Sequence, residues 1–122
     1  MGFKIYQYPI KAAGSKIYHQ PGTTMNYTEE QILIKGKKVL NDIHSQYYDE
    51  NLIEKALFDP NEELIRGEGT IPAWTVVINE PVSDSFIFLT ISDSTGEPLY
   101  IQTKHLVREI RKDAEGKYIR IE

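Results

Sequence analysis

Between Ala73 and Ile101 the chain reads AWTVVINEPVSDSFIFLTISDSTGEPLYI: two runs of β-branched and aromatic residues, an acidic turn, and a third run of the same kind. Such side chains pack well on a pleated, half-buried surface, so Trp74–Ile78, Phe86–Ile91 and Leu99–Thr103 are expected as strands of one antiparallel sheet. The interval NEPVSDS can hold a hairpin loop. Asp93-Ser-Thr-Gly96 is expected as a turn in which Gly96 supplies a positive φ, and Asp113-Ala-Glu-Gly116 as a second one before Tyr118–Glu122. The segment Lys104–Lys112 has two readings. Leu106, Val107 and Ile110 fit a helical face, whereas Val107–Lys112 can also pair with Lys117–Ile121; the hairpin is favoured because the loop before Lys117 has hairpin length. Nothing in Ala73–Ile101 belongs to a catalytic signature.

Upstream, the apolar period changes to that of a helix. Ile32, Val39, Leu40, Ile43 and Tyr47 share one face of a helix expected over 28–48. Thr28 and Gln31 have the spacing of a capping box, and Glu29 and Glu30 suit the positive end of the helix dipole. Gly36 lies in the apolar stripe, where it costs about 1 kcal/mol relative to Ala and permits close approach to a sheet. Lys35, Lys37 and Lys38 are expected as a solvated flank, too short a run to claim a phosphate partner. From Asp42 to Glu63 there are seven acids (Asp42, Asp49, Glu50, Glu54, Asp59, Glu62 and Glu63) against Lys55 alone, a local charge of −6. Within that stretch Leu52, Ile53, Ala56 and Leu57 suggest a short second helix that Asp59-Pro60 closes or redirects.

One domain over residues 1–122 accommodates these pieces: strand and loop over 1–27, helical chain over 28–69 and an antiparallel sheet over 73–122. The expected fold class is α+β, a long N-terminal helix and a short second helix packed on four or five strands from the C-terminal half. Its length is near the commonest domain size, and neither a linker nor an internal repeat marks a second unit. Residues 1–27 carry Lys4, Lys11 and Lys16 without an acid, with Tyr6, Tyr8, Tyr18 and Tyr27 expected to bury their rings and keep their hydroxyls wet.

Composition restricts the chemistry. A net charge of −4 lacks the electrostatic footprint of a dedicated nucleic-acid binder. The absence of cysteine removes disulfides, thiolate nucleophiles and cysteine-ligated metals, and fits a reducing compartment. The first residues lack the pattern of a signal peptide, Tyr6 breaks a myristoylation motif, and no apolar run approaches the roughly 20 residues of a membrane-spanning helix. A cytoplasmic protein is expected, with no membrane partner. His19, His44 and His105 form no metal-ligand pair by spacing, the acids lack the order of a calcium loop, and no serine stands in a nucleophile elbow. No catalytic residue, metal or cofactor is therefore expected. Trp74 is expected as a core anchor; alternatively, Trp74 and Tyr100 line a pocket between helix and sheet, as in a small-molecule-binding or enzymatic roll.

The order of these segments, with Trp74, Val76 and Ile78, then Ile91, Asp93, Thr95, Gly96, Glu97, Leu99 and Tyr100, resembles small cystatin-like and nuclear-transport-factor-like rolls, in which a helix packs across a curved antiparallel sheet. Within that group it is similar to PepSY-type modules and to single-domain immunity proteins of bacterial polymorphic toxin systems. The resemblance implies protein binding rather than catalysis, and it transfers no catalytic residue. It implies a basic toxin domain as partner, met by the acidic surface Asp49, Glu50, Glu54, Glu62 and Glu63. The same acids read equally well as an ordinary solvated face that keeps a domain soluble.

Overall fold

Six runs of alternating side chains pair in sequence order to build the sheet. The computed structural model describes residues 25–43, 50–65, 67, 69–80 and 85–121. These form helix α1 (Glu29–Ile43), a single 3-10 turn (Glu50–Leu52), and strands β1 (Ile53–Glu63), β2 (Thr70–Glu80), β3 (Ser85–Ser92), β4 (Pro98–Gln102), β5 (Val107–Lys112) and β6 (Tyr118–Ile121). Every neighbour is antiparallel, in the order β1-β2-β3-β4-β5-β6. The expected turns form as read. Gly96 has φ of 75° and Gly116 of 84°, and β5 pairs with β6 as the favoured hairpin, with Lys112 opposite Tyr118. Gly96 has a second reason to lack a side chain: a Cβ there would stand 2.6 Å from the Tyr27 ring.

Helix α1 begins where the capping box puts it. The Gln31 N–H donates to Thr28 Oγ1 at 3.1 Å, and the Thr28 N–H donates to Gln31 Oε1 at 2.9 Å. Its face of Ile32, Gly36, Val39 and Leu40 is buried against Val76, Leu89 and Ile91, none of which is exposed. At Gly36 the helix comes so near the sheet that an added Cβ would already touch both Val76 methyls at 3.4 Å. The helix rests chiefly on β1, β6 and β2, so it lies against both sheet edges. It also satisfies an outward N–H on each: the Ala56 N–H of β1 donates to Glu29 Oε2 at 3.4 Å, and the Tyr118 N–H of β6 donates to Asp42 Oδ2 at 3.0 Å. Edge amides left open are templates for unwanted pairing, and charged side chains blunt them.

Two expectations are corrected. The short second helix does not form; apart from the turn Glu50–Leu52, its residues are β1, and among the described residues the sheet therefore has six strands instead of four or five. Ala56 and Phe58 face α1 while Leu57 packs on the far side with Val77 and Phe88, which is strand alternation. Pro60 is tolerated because β1 is an edge and the pairing slips between Asp59 and Glu62. The described helix runs over 15 residues and ends at Ile43, short of the expected long helix; 44–48, with Tyr47, lie outside the described residues, as does the expected strand and loop before residue 25.

The two faces of the sheet differ. Toward α1 stand Trp74, Val76, Ile78, Leu89, Ile91, Ile101, Ile110 and Tyr118, a continuous buried core. The other face carries a row of Leu57, Thr75, Thr90 and Tyr100 running across four strands, in which both threonines and the tyrosine are buried.

Candidate functional site

Among the described residues β1 is the longer of the two edge strands, and it carries Glu54, Glu62 and Glu63 of the expected acids. Glu54 and Glu63 are exposed and Glu62 is half-buried. At ~3.3 Å per residue, nine residues separate Glu54 from Glu63 by about 30 Å, so they mark the two ends of a strip rather than one cluster. Four acids (Glu54, Asp59, Glu62 and Glu63) against Lys55 leave β1 at −3. Glu50 opens the turn leading into the strand, and Asp49 lies outside the described residues. Ile65, 45% exposed, follows the acidic end of β1 and leaves apolar surface beside it. The slip at Asp59–Glu62 also leaves Asp59 Oδ2 buried without a hydrogen-bond partner, while Oδ1 accepts from the Asn61 N–H at 2.9 Å.

The opposite edge is differently charged. The β5–β6 hairpin, residues 107–121, has Arg108, Arg111, Lys112, Lys117 and Arg120 against Glu109, Asp113 and Glu115, a balance of +2. Lys35, expected on a solvated flank, instead reaches over to this side: its ammonium donates to the Tyr118 hydroxyl at 3.1 Å and to Glu97 Oε2 at 3.3 Å. The Tyr118 hydroxyl donates to Glu97 Oε1 at 2.6 Å, and Lys35, Lys38 and Lys112 stand 5.4–5.6 Å from the centre of its ring. Burial alone would lower the Lys35 pKa, yet the Tyr118 hydroxyl and the Glu97 charge outweigh it and raise the value. Burial would likewise raise Glu97 and Asp42. The Tyr118 hydroxyl, Lys35 and Lys112 overcome it at Glu97, and Lys38 and the Tyr118 N–H at Asp42, so both carboxyls are lowered.

Trp74 is the core anchor expected of it, 4% exposed with its ring tilted on Phe58 at 5.2 Å between centres. It does not share a pocket with Tyr100. Trp74 pairs with Ile91 whereas Thr75, Thr90 and Tyr100 form the adjacent row, so the two aromatics stand on opposite faces of the sheet. The Tyr100 hydroxyl accepts from the Ile65 N–H at 3.4 Å, and burial together with the Glu62 charge raises its pKa against the hydrogen bonds from Ile65 and Thr90.

Asp93, expected in a turn, does more than shape it. It is fully buried. Oδ1 accepts from Trp74 Nε1 at 2.9 Å and from the Tyr27 N–H at 3.2 Å, and Oδ2 accepts from the Asn26 N–H at 2.8 Å. The Asn26 amide donates back to the Asp93 carbonyl at 3.1 Å. One carboxylate thus ties the entry of α1 to the sheet's tryptophan. A second group missed in the sequence is Arg108 and Arg120, which flank a groove with Ile87, Ile101, Thr103 and Leu106. Arg108 is two residues before Ile110 in sequence, but Arg120 is placed opposite Ile110 only by the observed register.

Among the described residues no group of three or more His, Asp or Glu is placed to hold a metal ion, and no helix is long and apolar enough to cross a membrane. No family model, curated protein or solved structure matches this chain.

Proposed function

We propose that this chain is a non-catalytic protein-binding module that docks a basic partner along β1. The observation that carries the reading is the position of the acids: Glu54, Glu62 and Glu63 lie on one 11-residue edge strand. Exposed ion pairs contribute only about 0–1 kcal/mol each, so the carboxylates orient and accelerate the encounter while apolar contact supplies most of the affinity. Ile65 at the acidic end is the apolar side chain placed for that role. A toxin domain with a basic surface, such as a nuclease, is the kind of partner that the resemblance to immunity proteins implies, with Asp49 and Glu50 extending the acidic strip in sequence.

The test is affinity capture from a lysate of the source organism at low salt, with the wild-type chain and with the triple variant Glu54→Lys, Glu62→Lys, Glu63→Lys. The reading expects a basic protein that is retained by the wild type, released by about 0.5 M salt, where charges are screened within a few ångströms, and not retained by the variant. Equal retention by the two chains refutes docking along β1.

A further inference from the structure

We propose that the Asp59–Pro60 bond of β1 is a self-cleavage site, at which the Asp59 carboxylate attacks its own carbonyl carbon and divides the chain into residues 1–59 and 60–122. Asp59 is the only aspartate in the sequence that a proline follows. The proline nitrogen belongs to a tertiary amide and carries no N–H, so it contributes nothing to a strand ladder. The register slips at the same point: Asp59 is opposite Ala73 and the next pair is Glu62 with Ile71, so Pro60 and Asn61 stand outside the pairing with β2. An Asx turn holds the carboxyl there, because Oδ1 accepts from the Asn61 N–H at 2.9 Å. The ring that this hydrogen bond closes contains the Asp59–Pro60 peptide bond, which keeps the carboxyl folded against the bond it breaks. Oδ2 is buried and, among the described residues, accepts no hydrogen bond. Its lone pairs are free for attack.

The step balances without a cofactor or a second catalytic group. Oδ2 forms a bond to the Asp59 carbonyl carbon and closes a cyclic anhydride. The C–N bond to Pro60 breaks, and the proline nitrogen takes a proton from solvent and leaves as a secondary amine. Water then opens the anhydride, restoring the side-chain carboxyl and leaving a second carboxyl as the new C-terminus, so the net reaction is hydrolysis of one peptide bond. A tertiary-amide nitrogen accepts the proton more readily than an ordinary peptide nitrogen, which favours the break at proline. Nucleophile and electrophile belong to one residue, and the turn adds the advantage of orientation that intramolecular reactions have. Asp93 shows the opposite arrangement. Both of its oxygens are engaged, by Trp74, Tyr27 and Asn26, and Ser94 follows it. After cleavage the pieces stay paired through β2, with Ala56–Asp59 opposite Ala73–Val76 on one side and Glu62 and Glu63 opposite Ile71 and Thr70 on the other. The proposal does not depend on docking along β1.

The experiment is intact-mass spectrometry of the full chain incubated at about pH 5, where folded domains ordinarily keep their stability, beside the same chain unfolded in concentrated urea at that pH. Because the turn exists only in the folded chain, fragments 1–59 and 60–122 should form about tenfold faster there than in urea. Asp59→Asn removes the attacking oxyanion and should stop their formation. Pro60→Ala replaces the tertiary amide by an ordinary one and should slow it at least about tenfold. The comparison with urea needs no variant, so it holds whether or not either substitution alters the fold. No fragments at this pH, a rate in urea equal to or above that of the folded chain, or cleavage undiminished in Asp59→Asn would overturn the proposal.

Discussion

β1 and β6 are the two edges of one sheet and both lie against α1, yet they are finished in different ways. β6 has four residues, and Tyr118 at its start is enclosed by Asp42, Lys35, Glu97 and Lys112. β1 has 11 residues, a slipped register at Asp59–Glu62, and a 3.4 Å contact from one of its amides to Glu29. Among the described residues the short edge is held by a charged network, whereas the long edge carries acids, and charges on an edge discourage indiscriminate strand pairing. On the proposed function, the contrast separates a structural edge from an addressable one.

The largest effect should come from the Asp93 carboxylate, which ties the entry of α1 to Trp74 of β2. Asp93→Ala leaves the buried Trp74 indole N–H and the Asn26 and Tyr27 amides without an acceptor. A loss of about 3 kcal/mol or more is expected in urea unfolding, since each buried donor left unpaired costs roughly 1–3 kcal/mol. A loss below about 1 kcal/mol would mean that these donors find other partners, and α1 would not be fixed at its N-terminal end.

Next, the two edge contacts should be unequal. Asp42 accepts from the Tyr118 N–H at 3.0 Å and from Lys38 at 2.7 Å with its side chain only 10% exposed, so Asp42→Ala should cost about 1–2 kcal/mol. Glu29 is exposed and its contact is 3.4 Å long; Glu29→Ala should cost no more than about 0.5 kcal/mol. Equal losses in thermal unfolding would erase the distinction between the edges.

The closed edge should also give the protein its acid sensitivity. Asp42 and Glu97 have carboxyls lowered from ordinary values of 3.8 and 4.5. Between the folded and unfolded values the unfolded chain binds more protons, so their contribution is complete above the unfolded values and is lost as pH falls through the lowered ones. Lys35 is raised from 10.5, so its contribution is complete below that pH and fades above it. Melting temperature against pH should therefore fall at both extremes. Asp42→Ala should flatten the acid limb and leave the alkaline limb in place; an unchanged acid limb would remove Asp42 from this account.

The smallest effect on stability is expected at the open edge. Glu54→Lys and Glu63→Lys should change unfolding free energy by no more than about 0.5 kcal/mol each, as surface substitutions away from packed groups do. A larger loss would make these acids structural.

How much of this could be read in the chain depends on how local the deciding forces are. The strands from Trp74 to Gln102, the turns at Gly96 and Gly116, the Thr28–Gln31 capping box and the close approach at Gly36 follow from neighbours in sequence, and all are present. β1 was hidden because Leu52, Ile53, Ala56 and Leu57 also have helical spacing, and only pairing with β2, Ala56 against Val76 and Phe58 against Trp74, decides for a strand. The same holds for the candidate sites. The acids were visible as a charge excess, but their distribution along an edge needed the register. That Arg120 shares a face with Ile110 likewise needs the register of the hairpin. Asp93 was legible as a turn residue, whereas its bonds to Asn26 and Tyr27 span 67 and 66 positions, beyond any local pattern.

The most direct test of the addressable edge is amide hydrogen exchange of the full chain, alone and with the basic protein recovered by capture. Protection that appears on binding across Ile53–Glu63 and extends to Ile65, with Tyr118–Ile121 unchanged, is the result expected. Protection confined to the β5–β6 hairpin, with β1 exchanging as before, would contradict the account.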